Sequence, residues 1–576
     1  MNKPFALLTA LALLGGCQAF SPISPDGTPP VQEATSSATP AEAKTYASFS
    51  QDTLLALLTA ELAGQRNRFD IALGNYVEQA QLTQDAGVAE RAFRIAEYLG
   101  AEQAALDSSL LWASNDPDNI DAQRAAAVQL ARAGRYDESM TFMESVLARQ
   151  GDTHFDFLAL SAAETDADTR AGLLQSFSRL LARHPENSQL LFGKALLLQQ
   201  DQRPEEALTL LDKQPDKNRP AASILLQARL LQSLERNDEA MAVLHKGIAR
   251  YPDDKRLRLT YARLLVAEDR LDDAKGEFVA LLQQHPNDDD LRFSLALISL
   301  EAEAWKEGIH YLEELVERGS HVDAAHFNMG RAYEALNKPK SALIEYALVG
   351  PGSDFLPALA RQSELLFAQR RGEEAAERLR KARESQPDYA IQLYLLEAEA
   401  WSKEQQHERA WQVISQALEQ FPEDLNLLYT RAMLAEKRDD LGQLEADLRF
   451  IIEREPDNAM ALNALGYTLA DRNERLDEAR ALIETAYQIN PSDPAIIDSM
   501  GWIQYRLGNL QLAERFLRQA LKDFPDPEVA AHLGEVLWAQ GKRDEARKLW
   551  ARYLKQHPDS TILRSTLQRL TATETP

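Results

Sequence analysis

Few side chains in this sequence can do covalent or metal chemistry. The one cysteine, Cys17, ends the run Leu14-Gly15-Gly16-Cys17 near the start of the chain. A lone thiol makes neither a disulfide framework nor a CxxC zinc site. The ten histidines are scattered. His184, His285 and His557 each precede a proline, at helix ends where a cation suits the dipole. His321 and His326 stand five apart, the wrong spacing to share one helical face as ligands. There is no HExxH, no GxSxG and no Gly-rich loop ending in Lys-Ser or Lys-Thr. Asp and Glu are abundant enough to form close pairs anywhere, as on any solvated helical face. The residues therefore point away from an enzyme, and they call for no cofactor and no metal.

What remains is recognition chemistry. Arg229, Arg263 and Arg331 recur at multiples of 34 residues. A guanidinium fork grips a carboxylate through two parallel bonds, so a row of them suits an acidic segment or a chain terminus. The competing reading pairs each arginine with an Asp or Glu of a neighbouring unit. Further on stand Tyr429, Tyr467, Trp502, Tyr505 and Trp538. Aromatics with a polar tip suit a protein-binding groove, and they equally suit packing between repeats. Which reading applies depends on the elements that carry these residues.

Composition limits those elements. The chain has 576 residues, 63 Lys+Arg against 89 Asp+Glu, and a net charge of −26. Charge of that sign and size repels a phosphate backbone and argues against nucleic acid as a partner. Hydrophobic content is 45%, ample for a core, and Gly and Pro number 25 each. Helix formers dominate and β-branched residues are sparse, which favours helix over sheet. No apolar run of membrane-spanning length follows the extreme N-terminus.

Residues 1–16 combine Lys3 with a short apolar stretch from Phe5 to Leu14, the pattern of a secretory signal. The ending Leu-Gly-Gly-Cys resembles a bacterial lipobox. That resemblance implies cleavage before Cys17 and acylation of it, with palmitate-like chains anchoring the protein in a membrane. More than one chain makes anchoring stable, at about 0.8 kcal/mol per buried methylene. Gln18, rather than Asp, implies the outer membrane. An ordinary signal with a chance cysteine is the competing reading. Residues 17–48 then form a tether, with Pro22, Pro25, Pro29, Pro30 and Pro40 among small polar residues. It has too little apolar surface to order itself and a mean reach of roughly 30 Å as a flexible coil.

From residue 50 the sequence repeats. Asp498 to Gly508 reads DSMGWIQYRLG and is followed by Ala513, Leu517, Ala520 and Pro525. Small residues recur every 33 to 35 positions, among them Ala72, Ala105, Ala240, Ala274, Gly308, Ala342, Ala410, Ala479, Ala513 and Ala546. Prolines stand twelve residues after most of them, for example Pro252, Pro286, Pro422, Pro456, Pro491 and Pro525. Two rulers in phase resemble the tetratricopeptide repeat, a helix–turn–helix of 34 residues. The fold class expected is all-α, a right-handed superhelical solenoid of such repeats with the first helix of each lining the concave face. Divergent repeats are expected over 49–187 and regular ones over 188–559, interrupted near Gly308 and at Gly350-Pro351-Gly352. A capping helix and tail occupy 560–576.

Within that resemblance, positions 2, 5, 9 and 12 of each first helix face the groove. This places Arg229, Arg263 and Arg331 at position 9 and Tyr429 at position 5. The Lys and Asn of the chaperone-tail clamp are missing. Over its length the chain resembles the outer-membrane lipoprotein adaptors of a periplasmic carboxyl-terminal processing protease. The resemblance implies a non-catalytic scaffold that binds the protease, helps assemble or activate it, and brings it substrates such as peptidoglycan hydrolases. Activators of peptidoglycan synthases and pilotin-like assembly factors are the alternative class. Exposed array ends also admit association of copies.

Overall fold

The computed structural model describes residues 48–149, 153–163, 165–215 and 219–571. The expected signal peptide, Cys17 and the tether up to residue 47 lie outside them. Among the described residues there are 31 α-helices, one short 3-10 turn and no strand. No described helix is long and apolar enough to cross a membrane. The chain divides after Pro185 into two compact units.

The first unit holds α1 (Gln51–Gln65), α2 (Phe69–Thr83), α3 (Ala86–Tyr98), α4 (Glu102–Asn115), α5 (Ile120–Arg132), α6 (Tyr136–Ala148), α7 (Phe155–Ser161) and α8 (Ala167–Arg183). Alanines lie where its helices cross: Ala89, Ala92, Ala96, Ala122 and Ala126 have no exposed surface. Removing side-chain bulk at a crossing lets backbones approach, and Phe93 and Trp112 fill the remaining space with ring centroids 6.0 Å apart. The outer face of α1 is different. Leu54, Leu55, Leu58 and Leu62 are all more than half exposed.

The second unit continues in antiparallel pairs. It opens with α9 (Ser188–Gln200) and α10 (Pro204–Leu211), then α11 (Ala221–Ser233) and α12 (Asn237–Arg250), then α13 (Lys255–Ala267) and α14 (Leu271–Gln284). Next come α15 (Asp289–Glu301) and α16 (Trp305–Glu317), α17 (Val322–Ala335) and α18 (Pro339–Tyr346), and α19 (Phe355–Ala368) and α20 (Gly372–Ser385). Then follow α21 (Ala390–Lys403) and α22 (His407–Gln420), α23 (Leu425–Lys437) and α24 (Leu441–Arg454), and α25 (Ala459–Asp471) and α26 (Leu476–Ile489). The last are α27 (Pro494–Arg506) and α28 (Leu510–Asp523), α29 (Pro527–Ala539) and α30 (Arg543–Gln556), and the single α31 (Thr561–Thr571).

Local chemistry sets both ends of each pair. Between pairs, a proline ends the second helix and an Asp or Asn soon after caps the next first helix. Asp254, Asp288, Asp424, Asn458 and Asp493 each accept from free N–H groups of the helix they open. Within pairs, one left-handed residue turns the chain. Glu235, Asp269, Glu303, Asn337, Arg370, Gln405 and Asp439 all have φ between 53° and 60°, each five residues before the small residue of the second helix. The same closing bond recurs, from Arg236 N–H to Leu231 O (2.9 Å) and from Arg270 N–H to Leu265 O (2.8 Å). The small residue then meets the first helix with no exposed surface, as at Ala240, Ala274, Ala342, Ala410 and Ala513. Gly308, which breaks the alanine ruler, sits closer still, since a Cβ there would run into Leu300.

First helices of successive pairs also touch one another, α25 on α27 and α29 on α31. They form the inner row that carries the residues singled out above.

Candidate functional site

Arg229 on α11 and Arg263 on α13 are exposed and make no ion pair among the described residues. Arg331 on α17 is half-buried and only donates to Asn328 Oδ1, one turn back on its own helix, at 3.3 Å. The expected alternative, pairing with acids of adjacent repeats, occurs at other arginines. Arg258 bonds Glu277 at 2.6 Å, and Arg292 holds Glu314 at 2.7 Å and Asp289 at 2.9 Å. In a chain with this excess of acid, three arginines at one register without an ion pair present their forks outward.

The aromatic set divides. Trp502 on α27 is buried, stacked on His532 at 4.1 Å with an interplanar angle of 23°, and its indole N–H donates to Asp471 Oδ1 at 3.2 Å. Tyr467 on α25 donates to Glu528 Oε1 at 2.6 Å, two repeats away. Tyr505 donates to Glu535 at 3.1 Å, and Glu535 also accepts from Arg569 on α31. Trp538 lies against Trp550, with centroids 5.8 Å apart, between the guanidinium groups of Arg543 and Arg547, each 5.2 Å from its ring. These four rings join repeats to one another. Tyr467 matches Trp502 in register because the turn after α25 has an extra residue, with both Asn473 and Arg475 left-handed.

Tyr429 on α23 behaves otherwise. Its hydroxyl has no hydrogen-bond partner among the described residues, and it lines a cleft of about 750 Å³ between α21, α23 and the start of α25. Burial, together with Glu436 and Asp493, raises its phenol above the usual value.

Sequence reasoning missed a buried cluster at the centre of the aromatic set. His532 Nδ1 lies 2.9 and 3.1 Å from the two oxygens of Asp498, and its Nε2 is 3.4 Å from the Tyr467 hydroxyl. Burial alone would lower the imidazole, but Asp498, by charge and hydrogen bond, overrides it and raises it. Burial and then Glu528 push the Tyr467 phenol far up, and burial with Glu535 pushes Tyr505 to about 12. A His–Asp pair can serve as a general base. This one is closed in, with His532 only 4% exposed and the Trp502 ring over it at 3%. No substrate atom can reach the imidazole, so the cluster holds three repeats together. The signal available in sequence was an acid and a histidine one repeat apart, where other units carry apolar residues. Among the described residues no group of three His, Cys, Asp or Glu side chains is placed to hold a metal ion.

Two tetratricopeptide-repeat family models match the chain, one over residues 231–298, 472–531 and 508–570 and the other over 174–220 and 429–494. The TPR repeat-containing protein PA4667 of Pseudomonas aeruginosa is 67% identical over 576 residues, 100% of this chain and 98% of that protein. The chain belongs to the tetratricopeptide-repeat proteins. The bacteriophage adsorption protein A of Escherichia coli is 28% identical over 108 residues, 19% of this chain and 11% of that one. Among solved structures, Naa15/Naa10 bound to HypK-THB gives a TM-score of 0.36 at 15% identity, covering 91% of this chain and 84% of that one. Yeast Tom70 gives 0.34 at 16%, covering 91% and 95%. Scores this low carry no argument about function. Membership in the repeat family means a surface built for protein partners, and the exposed arginines and the Tyr429 cleft are the parts of it left open.

Proposed function

We propose that this repeat protein is a lipid-anchored scaffold on the periplasmic face of the outer membrane. It binds a carboxyl-terminal processing protease, helps assemble or activate it, and brings it protein substrates such as peptidoglycan hydrolases. The observation that carries the scaffold reading is the inner row of Arg229, Arg263 and Arg331, without ion pairs in a chain of net charge −26. Such forks hold carboxylates of a client. The lipobox ending at Cys17 supports the anchor, and the family resemblance supports the protease. The bare leucines of α1 support a second contact in the first unit, since covering them with a partner's apolar face contributes roughly 1.5–3 kcal/mol per fully buried side chain. One client on each unit is the division of labour this suggests.

The test is a pull-down from envelope extract with the mature chain carrying Cys17→Ser, followed by mass spectrometry. Recovery of a processing protease with wall hydrolases is the expected result. Recovery of a peptidoglycan synthase or a secretion-pore subunit without any protease overturns the reading.

A further inference from the structure

The register that holds Arg229, Arg263 and Arg331 holds Glu364 and Glu399 in the next two repeats, then Met433. The inner row thus reverses sign between α17 and α19. The Tyr429 cleft opens just past the reversal. Its floor is Tyr429 and Met433, and Met460 stands at its edge with 59% of its surface exposed. Its rim carries the exposed carboxylates of Glu399, Glu423 and Glu455. The one cation in the lining, Lys437, is turned toward Ser402 Oγ at 3.3 Å. Glu399 and Glu423 pair with Lys403 and Arg454 at 2.7 and 3.0 Å. Those partners are themselves solvent-exposed, and such pairs contribute about 0–1 kcal/mol, so a client's cations can replace them.

We propose that this cleft docks a basic peptide segment carrying one long apolar side chain, Leu or Met, between lysines or arginines. The chemistry fits each part. Methionines on flexible stems adapt to an unbranched apolar side chain. The unpartnered Tyr429 hydroxyl is placed to bond a peptide carbonyl. The rim carboxylates attract the flanking cations, and they would repel the acidic tails that the arginine half of the row suits. The inference rests on the scaffold reading and adds the kind of segment that one stretch of the groove selects.

The experiment uses the full mature chain with Cys17→Ser and fluorescence anisotropy of a labelled peptide with a central Leu between lysines. A version with Glu in place of Lys and a version with Ser in place of Leu are the controls. Tyr429→Ala tests the floor, and Glu399→Lys/Glu423→Lys tests the rim at two exposed positions that leave the fold intact. Saturable, salt-sensitive binding of the lysine peptide is expected, weakened about tenfold or more by either variant and by the loss of Leu. The Glu version should not bind. Equal binding of the Glu version, binding unchanged in both variants, or no saturable binding overturns the proposal. If the peptide fails while the envelope pull-down still recovers protease and hydrolases, the cleft proposal alone falls. If the peptide binds and the pull-down recovers neither, the protease reading alone falls.

Discussion

Asp498 holds a proton on His532 inside the second unit, and that gives the joint between repeats a defined pH dependence. The imidazole is raised above its ordinary value near 6.5. Its contribution to stability is therefore complete below that value and is lost as pH rises through the raised one. Asp471, Glu528 and the Tyr467 hydroxyl face the same ring and act in the same direction. Replacing His532 by Gln leaves the Asp498 carboxylate buried without its cation, a change of about 3–5 kcal/mol. Hydrogen exchange of the α27 and α29 amides should show that loss of protection in full near pH 6. The gap between variant and native chain should narrow on the alkaline side; a gap that widens with pH would mean the imidazole is neutral when folded. This cluster shows what the sequence alone hides. Trp502 and Tyr467 were legible as inner-row aromatics, but whether they met a client or the next repeat depended on partners 30 to 65 residues away. Nothing in the local pattern ranks Asp471, Glu528 or His532 as those partners.

Helix pairs were far more legible than their contacts, because repetition amplifies a weak local signal. A small residue and a proline at fixed spacing are each unremarkable once, and in phase they locate every crossing and every boundary from α11 to α30. What the rulers do not contain is the turn. Most turns rest on a left-handed Glu, Asp, Asn, Gln or Arg, where a Cβ costs energy that glycine avoids. Glu303→Gly, at φ 57°, should therefore raise thermal stability by about 0.5–1 kcal/mol, read as a higher melting temperature. The crossing predicts the opposite sign. Ala513 has no exposed surface, and Ala513→Leu should lower stability by about 1–3 kcal/mol through overpacking. A neutral result there would mean that the helices of a pair can move apart at little cost.

At the scale of the molecule, charge and tethering carry the account. Arg229→Glu/Arg263→Glu/Arg331→Glu should leave the melting temperature nearly unchanged, because none of the three makes an ion pair among the described residues. The same substitutions should sharply reduce client recovery in a pull-down. A scaffold with two clients works by raising their mutual concentration, and mass action limits it from above. Excess scaffold separates the two clients onto different copies. The most direct test is therefore the rate at which the processing protease cleaves a wall hydrolase, measured against increasing amounts of the soluble chain with Cys17→Ser. The account predicts a rate that rises, passes through a maximum near equal amounts of chain and clients, and falls again. A rate that stays flat at every concentration would contradict it.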